Sequence, residues 1–231
     1  MITEEQQLGT IKLVIFDVDG TLYNQRKLQL NMCLSLLKYY LVHPLEIKDL
    51  YILYQFRKER EKHSGYNSNN LNEEQYEWCA SKLHIPLKRV KAVISKWIYD
   101  MPLQYLRSTK YSGTSALFDT LRRQNIKIAV YSDYPANDKL NVMGLKTDIS
   151  VSSTDAEINS FKPSPRAVYF VCKELNIAKE ACLFIGDRDS RDGQCARNAG
   201  IRYIVLPSKN KDKEKLFVFL AHAFEMENRV N

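Results

Sequence analysis

The sequence predicts an α/β protein: a three-layer, doubly wound parallel sheet with a purely helical segment inserted near its start. Three observations predict it. From residue 114 onward, short apolar runs rich in β-branched residues alternate with helical stretches, the pattern of a parallel sheet covered on both faces. One further run of the same kind, Ile11 to Phe16, stands alone near the N-terminus. Between them, residues 24–107 carry helical periodicity and no strand pattern. The 231 residues suffice for one large domain or for a core with a smaller inserted one. The expected division is a core of residues 1–23 and 108–231 and an insertion of residues 24–107.

Each element has its own reason. IKLVIF is short, apolar and β-branched, as a buried parallel strand must be, and the turn Gly20-Thr21 follows it. Leu28 to Leu41 spaces apolar residues as a helix does, and Pro44 breaks it. Leu45 to Glu61 forms the next helix, with Leu50, Leu53, Tyr54 and Arg57 along one side. The polar stretch His63 to Asn72 is a loop, and Asn72 with Gln75 resembles a helix start. Pro86 opens a helix through Trp97 that Met101-Pro102 ends. In the alternating part, strands are expected at Ile126–Ser132, in DISVSS, at Ala181–Asp187 and at Arg202–Leu206. Helices are expected at Thr114–Gln124, Ala136–Met143 before Gly144, Pro165–Leu175, and Asp192–Ala199 before Gly200. FVFLAHAFEME is a C-terminal helix, and the charged run Ser208 to Lys215 before it is a loop or helix start without an assigned role.

Composition excludes several classes. No apolar stretch approaches the roughly 20 residues that cross a bilayer, and Met1 to Gly9 is polar and acidic, without a signal-peptide pattern. The default expectation is a cytoplasmic protein with no membrane partner. Cys33, Cys79, Cys172, Cys182 and Cys195 form no CxxC pair and are odd in number, so reduced and mostly buried thiols are expected. The four histidines lack metal-ligand spacing. Of the net charge of +7, residues 24–107 contribute +6, from 14 Lys/Arg and 8 Asp/Glu. A basic segment steers anionic ligands, though most such charges are solvated helix faces. Nucleic acid is not an expected partner, because no aromatic–basic interleaving or nucleic-acid motif accompanies the charge.

In an open α/β sheet, ligands bind beyond the carboxyl ends of the strands. The first strand ends in Asp17-Val18-Asp19-Gly20-Thr21, and the strand after Ile126 ends in Ser132-Asp133. The strand after Ala181 ends in Asp187, with Asp189 and Asp192 following, and Lys162 lies in the loop after DISVSS. Taken singly, each is a turn former, a helix cap or a surface residue. Four such groups at successive strand ends are a different matter. Crowded carboxylates repel and call for a cation, and oxygen-only ligands select a hard ion such as Mg²⁺. The metal and a lysine would neutralise phosphate charge, while backbone N–H groups of the glycine turn and the Ser132 hydroxyl would hold phosphate oxygens. One carboxylate can attack phosphorus, and a second, two residues on, can move the proton. This pattern suits phosphoryl transfer.

The motifs FDVDGTL (Phe16 to Leu22), VYSD (Val130 to Asp133), FKPSP (Phe161 to Pro165) and IGDRDSRDGQCARNAG (Ile185 to Gly200) resemble, in order, those of the haloacid dehalogenase superfamily. The resemblance runs through the whole core. It implies a Rossmann-like core with a type C1 helical cap at the insertion. It implies Asp17 as nucleophile and metal ligand, and Asp19 as general acid/base that lends its backbone carbonyl to the metal. Lys162 would stabilise charge. Ser132, Asp133 and Thr21 would join Lys162 in binding substrate, and Asp187 and Asp192 would complete a Mg²⁺ site. Haloacid dehalogenases proper lack an aspartate at the position of Asp19, so its presence favours phosphate esters.

The expected activity is Mg²⁺-dependent hydrolysis of a small phosphorylated metabolite through an aspartyl phosphate. The alternatives are a phosphomutase of the β-phosphoglucomutase kind and a binding protein on a retired enzyme core. In the insertion, Arg57 and Arg60 are candidates to meet an anionic substrate, against a plainer role pairing with Glu61 or a neighbouring acid. Leu34, Leu37, Tyr51 and Tyr54 read as its interior. Oligomeric state is not readable from the sequence.

Overall fold

The structure, a computed structural model, describes residues 8–227. The expectation for Met1 to Gly9 therefore falls largely outside the described residues. Five parallel strands form one sheet in the order β3-β2-β1-β4-β5: β1 (Leu13–Phe16), β2 (Lys127–Ser132), β3 (Ile149–Ser152), β4 (Cys182–Gly186) and β5 (Arg202–Val205). Every strand lies within the run expected for it, trimmed by a residue or two at its ends. The first strand is central, pairing Phe16 with Val130 on one side and with Ile185 on the other.

Each of Leu13, Val14, Ile15 and Phe16 is fully buried because both sheet faces are covered. Val14 and Phe16 point to one face, into a cluster with α6 (Thr114–Arg123) and α10 (Asn210–Glu227), through Phe118, Leu121, Phe217 and Phe224. Leu13 and Ile15 point to the other, against α8 (Arg166–Glu174) and α9 (Gln194–Ala199), through Val168, Val171, Ala196 and Ala199. This is the three-layer sandwich that the alternating pattern predicts.

Between β1 and α6 the chain is helical: α1 (Gln25–Val42), α2 (Asp49–Lys62), α3 (Leu71–Leu83), α4 (Leu87–Ile94) and α5 (Leu103–Thr109). The last follows Pro102, where the sequence suggested an end, since proline fits a helix start. An antiparallel bridge between Tyr23 and Lys110 ties together the two chain segments that enter and leave this region. α3 begins at Leu71, earlier than Asn72-Gln75 suggested, because Asn159 of the core caps it by accepting the Leu71 N–H at 3.0 Å.

The interior of these helices is not the one expected. Leu34, Leu37, Tyr51 and Tyr54 are 50–59% exposed, and Tyr40, Ile52, Phe56, Cys79, Val90 and Trp97 are buried instead. α1 carries leucines on more than one side, so spacing alone could not say which side faces in. The remaining helix, α7 (Asn137–Met143), follows β2 and closes on Gly144 in the left-handed region at φ +69°. No disulfide forms among the described residues: Cys79, Cys182 and Cys195 are buried, Cys172 is half-buried and Cys33 is exposed. No helix among the described residues is long and apolar enough to cross a membrane.

Candidate active site

Asp17 follows β1 directly, and its backbone N–H still donates to Ile185 across the sheet. Its side chain is held on both oxygens. The Lys162 ammonium donates to Oδ1 at 2.7 Å and the Thr21 hydroxyl donates to Oδ2 at 2.8 Å. Lys162 also donates to Asp192 Oδ1 at 2.8 Å and is 1% exposed. A lysine so buried is tolerable only because two carboxylates meet it, and they hold its amine well above the ordinary range despite burial.

The turn behind this pair depends on glycine. Gly20 has φ +88°, and a Cβ there would collide with the Asp187 carboxylate. Gly186, at the end of β4, leaves room for Asp192, whose Oδ2 accepts the N–H groups of Asp187 at 3.1 Å and Arg188 at 3.0 Å. Carboxylate oxygens of Asp17, Asp187 and Asp192 all lie within 4.8 Å of one another. Burial, opposed by Lys162 but reinforced by Asp192 and Asp187, pushes the Asp17 carboxyl up to about 7. Burial likewise raises Asp187. Two carboxyls raised by burial, Asp17 and Asp187, gathered with the buried Asp192 into a set of oxygen donors, fit a hard divalent cation.

Asp19 is handled differently. Lys139 of α7 donates to its Oδ1 at 2.6 Å, and the Tyr23 hydroxyl donates to the same oxygen. Burial alone would raise this carboxyl, but the Lys139 charge and hydrogen bond outweigh it and hold Asp19 below its usual range. Ser132 is buried and its hydroxyl accepts the Tyr134 N–H at 3.3 Å. Asp133 accepts from the Ser153 hydroxyl at 3.0 Å and from Arg188 at 3.3 Å. Thr21 is fully buried, with its hydroxyl committed to Asp17.

Above these groups lies a cavity of about 660 Å³, walled by the core on one side and by α1 and α2 on the other. Asp17, Asp19, Asp133 and Lys139 line its floor. Leu28, Met32, Leu53 and Trp97 line its far wall, and Arg57 reaches it from α2. Arg60 also lines the cavity, but it pairs with no acid among the described residues and its guanidinium is already engaged. It is buried, donates to the Asp133 carbonyl at 2.5 Å and to Gln75 Oε1, and stacks its guanidinium 4.1 Å from the Tyr134 ring and 4.4 Å from Phe161. Glu61 pairs instead with the core arginines Arg191 at 2.6 Å and Arg188 at 3.2 Å. Asp189, which the sequence leaves without a role, is paired with Arg197 away from the cluster.

Several groups here have no sequence signal of their own. Lys139 sits in an ordinary helical stretch. Lys213, in the charged run that forms the start of α10, donates to the Gly20 carbonyl at 2.6 Å and lies 3.5 Å from Asp187 Oδ2. A charge run reads as solvent-facing, and nothing local marks the one lysine that turns inward.

A doubly wound sheet with an acidic cluster beyond β1 and β4, beneath a cavity walled by the helical region, defines a Rossmann-like core with its candidate site at the carboxyl ends of the strands. The chain matches the family model described as haloacid dehalogenase-like hydrolase over residues 14–206, and it belongs to that family. Over 130 residues it is 25% identical to an N-acetylmuramic acid 6-phosphate phosphatase of Pseudomonas putida, covering 52% of this chain and 58% of that one. The chain thus spans less than two thirds of this relative. Among solved structures, a 2-haloacid dehalogenase from Pseudomonas syringae has a TM-score of 0.59 at 16% identity, covering 84% of this chain and 86% of its own. A β-phosphoglucomutase from Clostridium difficile has a TM-score of 0.56 at 16% identity, covering 96% and 100%. At such identities the likeness is one of fold.

Proposed function

We propose that this protein is a Mg²⁺-dependent phosphatase that hydrolyses a small phosphorylated metabolite through an aspartyl phosphate on Asp17. The observation that carries the reading is the pairing of two carboxylates with opposite environments two residues apart. Asp17 is braced by Lys162 and Thr21 within an acidic cluster, and Asp19 is presented beside it on the cavity floor. A dehalogenase needs no proton donor for its leaving group, so an aspartate at position 19 supports phosphate ester chemistry.

Asp17 attacks phosphorus as the bond to the leaving oxygen breaks, and Asp19 gives that oxygen its proton. Both hydrogen bonds to Asp19 fall on Oδ1, which leaves Oδ2 for this transfer. Water then attacks phosphorus, Asp19 takes its proton, and the bond to Asp17 breaks. Lys162 offsets negative charge on Asp17 and the phosphoryl oxygens throughout. Ser132 and Asp133 shape the phosphate pocket, and Thr21 fixes the rotamer of Asp17. When bound by Asp17, Asp187, Asp192 and the Asp19 carbonyl, Mg²⁺ would supply positive charge to the crowded carboxylates and to phosphate.

Residues 24–107 serve as the cap, and Arg57 is its cation best placed for an anionic group on the substrate. The cavity volume suits a metabolite and excludes a folded macromolecule. The test is phosphate release from p-nitrophenyl phosphate with Mg²⁺ or EDTA, for the wild type and Asp17→Asn, beside halide release from 2-chloropropionate. Mg²⁺-dependent phosphate release lost in the variant supports the reading. Halide release, or accumulation of isomerised sugar phosphate without phosphate release, overturns it.

A further inference from the structure

α1 has a second apolar face that the fold leaves bare. Leu28, Met32 and Leu36 face the cavity. On another side, Leu30, Leu34, Leu37 and Leu41 are 62%, 50%, 59% and 73% exposed. Their spacing of 4, 3 and 4 residues is that of alternating d and a positions across two heptads. Val42, the last residue of the helix, is 75% exposed, and Leu45 beyond it is 95% exposed, so the bare apolar surface continues past the helix end. Apart from Arg26, Lys27 and Lys38, no residue of this helix is charged.

We propose that this seam pairs antiparallel with the same seam of a second copy of this chain. The spacing is the first reason: a heptad seam is built for another helix, and a two-fold axis lets one stripe serve both sides. With the axis midway between Leu34 and Leu37, Leu34 meets the partner's Leu37 and Leu30 meets the partner's Leu41. The axis therefore closes the whole stripe without a polar residue in the seam.

Charge is the second reason, and it fixes the direction. α1 begins with Arg26 and Lys27 and has no acid in its first turn and no base in its last, which opposes the helix dipole at the N-terminus and leaves it uncompensated at the C-terminus. An antiparallel pair sets Arg26 of each copy beside the carbonyl end of the other, near the partner's Glu46. A parallel pair would stack the two basic ends on each other.

Area is the third reason. Leu30, Leu34, Leu37, Leu41, Val42 and Leu45 are each half exposed or more, so together they offer several hundred Å² of accessible surface. That is at the upper end of the roughly 300–600 Å² of a monomer's largest apolar patch, a size that often marks an interaction site, and the rest of a roughly 800 Å² per-partner interface would come from residues flanking the stripe. Because the opposite side of α1 walls the cavity, the dimer would brace one wall of the site. The proposal does not depend on the phosphatase reading.

Sedimentation equilibrium of the full chain tests it. The wild type is expected to be a dimer at micromolar concentration, and L34E/L37E a monomer with an unchanged circular dichroism spectrum. A wild type that stays monomeric, or a dimer that survives L34E/L37E, overturns the proposal. Direction is tested by oxidation in a C33S background: L30C/L41C is expected to form disulfide-linked dimers and L30C alone to form none. Efficient crosslinking of L30C alone would establish a parallel pair and overturn the antiparallel one. If the wild type is monomeric and floats with phosphatidylcholine vesicles while L34E/L37E does not, the seam meets lipid and the proposal fails.

Discussion

Lys139 and Asp19 lie 120 residues apart in sequence, yet the lysine Nζ is 2.6 Å from the Asp19 Oδ1, with side chains 7% and 20% exposed. The residue proposed to donate a proton is thus held by a cation that favours its ionised form. A group that must be protonated to act gives a limb of kcat/KM that falls as pH rises through its pKa. Burial raises Asp19 and Lys139 more than offsets it. In Lys139→Met, burial is opposed chiefly by Tyr23, and the falling limb moves to higher pH. Lys139→Arg retains the charge and keeps the limb near its wild-type position. A pH profile unmoved in Lys139→Met would show that Lys139 does not tune Asp19.

Asp17 is set the other way, and the sign of its linkage follows. Its carboxyl, raised from 3.8 to about 7, binds a proton in the folded protein at a pH where the unfolded chain has lost it. Without metal, Asp17 therefore contributes stability that is fully present at low pH and is lost as pH rises between about 4 and 7. A divalent cation needs the deprotonated form. The rise in Tm produced by Mg²⁺ is expected to be larger at pH 8 than at pH 6, with proton release on binding near pH 7. In Asp17→Asn the metal-free protein loses this pH dependence, the Mg²⁺ shift shrinks, and activity falls by about 10³-fold or more. Equal Mg²⁺ shifts at pH 6 and pH 8 would contradict this assignment. Thermal melts in EDTA and in Mg²⁺ across this range measure it.

The sheet is legible in the sequence because burial on both faces leaves a mark along the chain. A strand such as Leu13–Phe16 must be apolar at every position, and each intervening helix on one stripe. The polar groups that follow the strands stand out against those runs, which makes Asp17, Ser132 and Asp187 conspicuous in the sequence itself, while Lys162, well beyond the end of β3, stands out only through its motif. Residues such as Lys139, Lys213 and Arg191 are not, because their roles come from where helices far along the chain dock. The helical insertion is the least legible part. α1 carries leucines on several sides, and only packing decides that Tyr40 goes in while Leu34 and Leu37 stay out. Arg60 misleads for a related reason. Its place under Tyr134, bonded to the Asp133 carbonyl, depends on how the helical region meets the core.

That placement makes Arg60 a joint between the two regions. Without it, Gln75 Oε1 and the Asp133 carbonyl are left as acceptors that no methionine can satisfy. Each abandoned buried acceptor costs about 1–3 kcal/mol, and at this chain size 1 kcal/mol shifts Tm by about 2–4 °C. Arg60→Met should therefore lower Tm by several degrees. Arg60→Lys should recover little, because an ammonium cannot make the planar two-pronged contact or stack as a guanidinium does. Glu61 offers the contrast. Its side chain is 62% exposed, so its pairs with Arg188 and Arg191 are solvent-screened and worth about 0.2–1 kcal/mol. Glu61→Gln should leave Tm nearly unchanged. If Arg60→Met melts with the wild type, the joint contributes nothing to stability.

Gly186 tests whether the acidic cluster depends on a backbone approach. It ends β4, and a Cβ added there would overlap the Cβ and Cγ of Asp192. Asp192 cannot retreat freely: it is 2% exposed, bonded to Lys162 and to two backbone N–H groups after β4. Gly186→Ala must push that side chain off these partners, at about 1–3 kcal/mol for overpacking. Because Asp192 holds both Lys162 and the Asp187 loop, the same change should reduce the Mg²⁺-dependent rise in Tm. Gly144→Ala supplies the control. Nothing lies within 4 Å of a Cβ there, and only its φ of +69° is unfavourable, at about 1–2 kcal/mol. Its melt should shift modestly and its response to Mg²⁺ should match the wild type. Urea unfolding of both variants with and without Mg²⁺ separates the two effects, and a full metal response in Gly186→Ala would mean that Asp192 has no part in holding the cation.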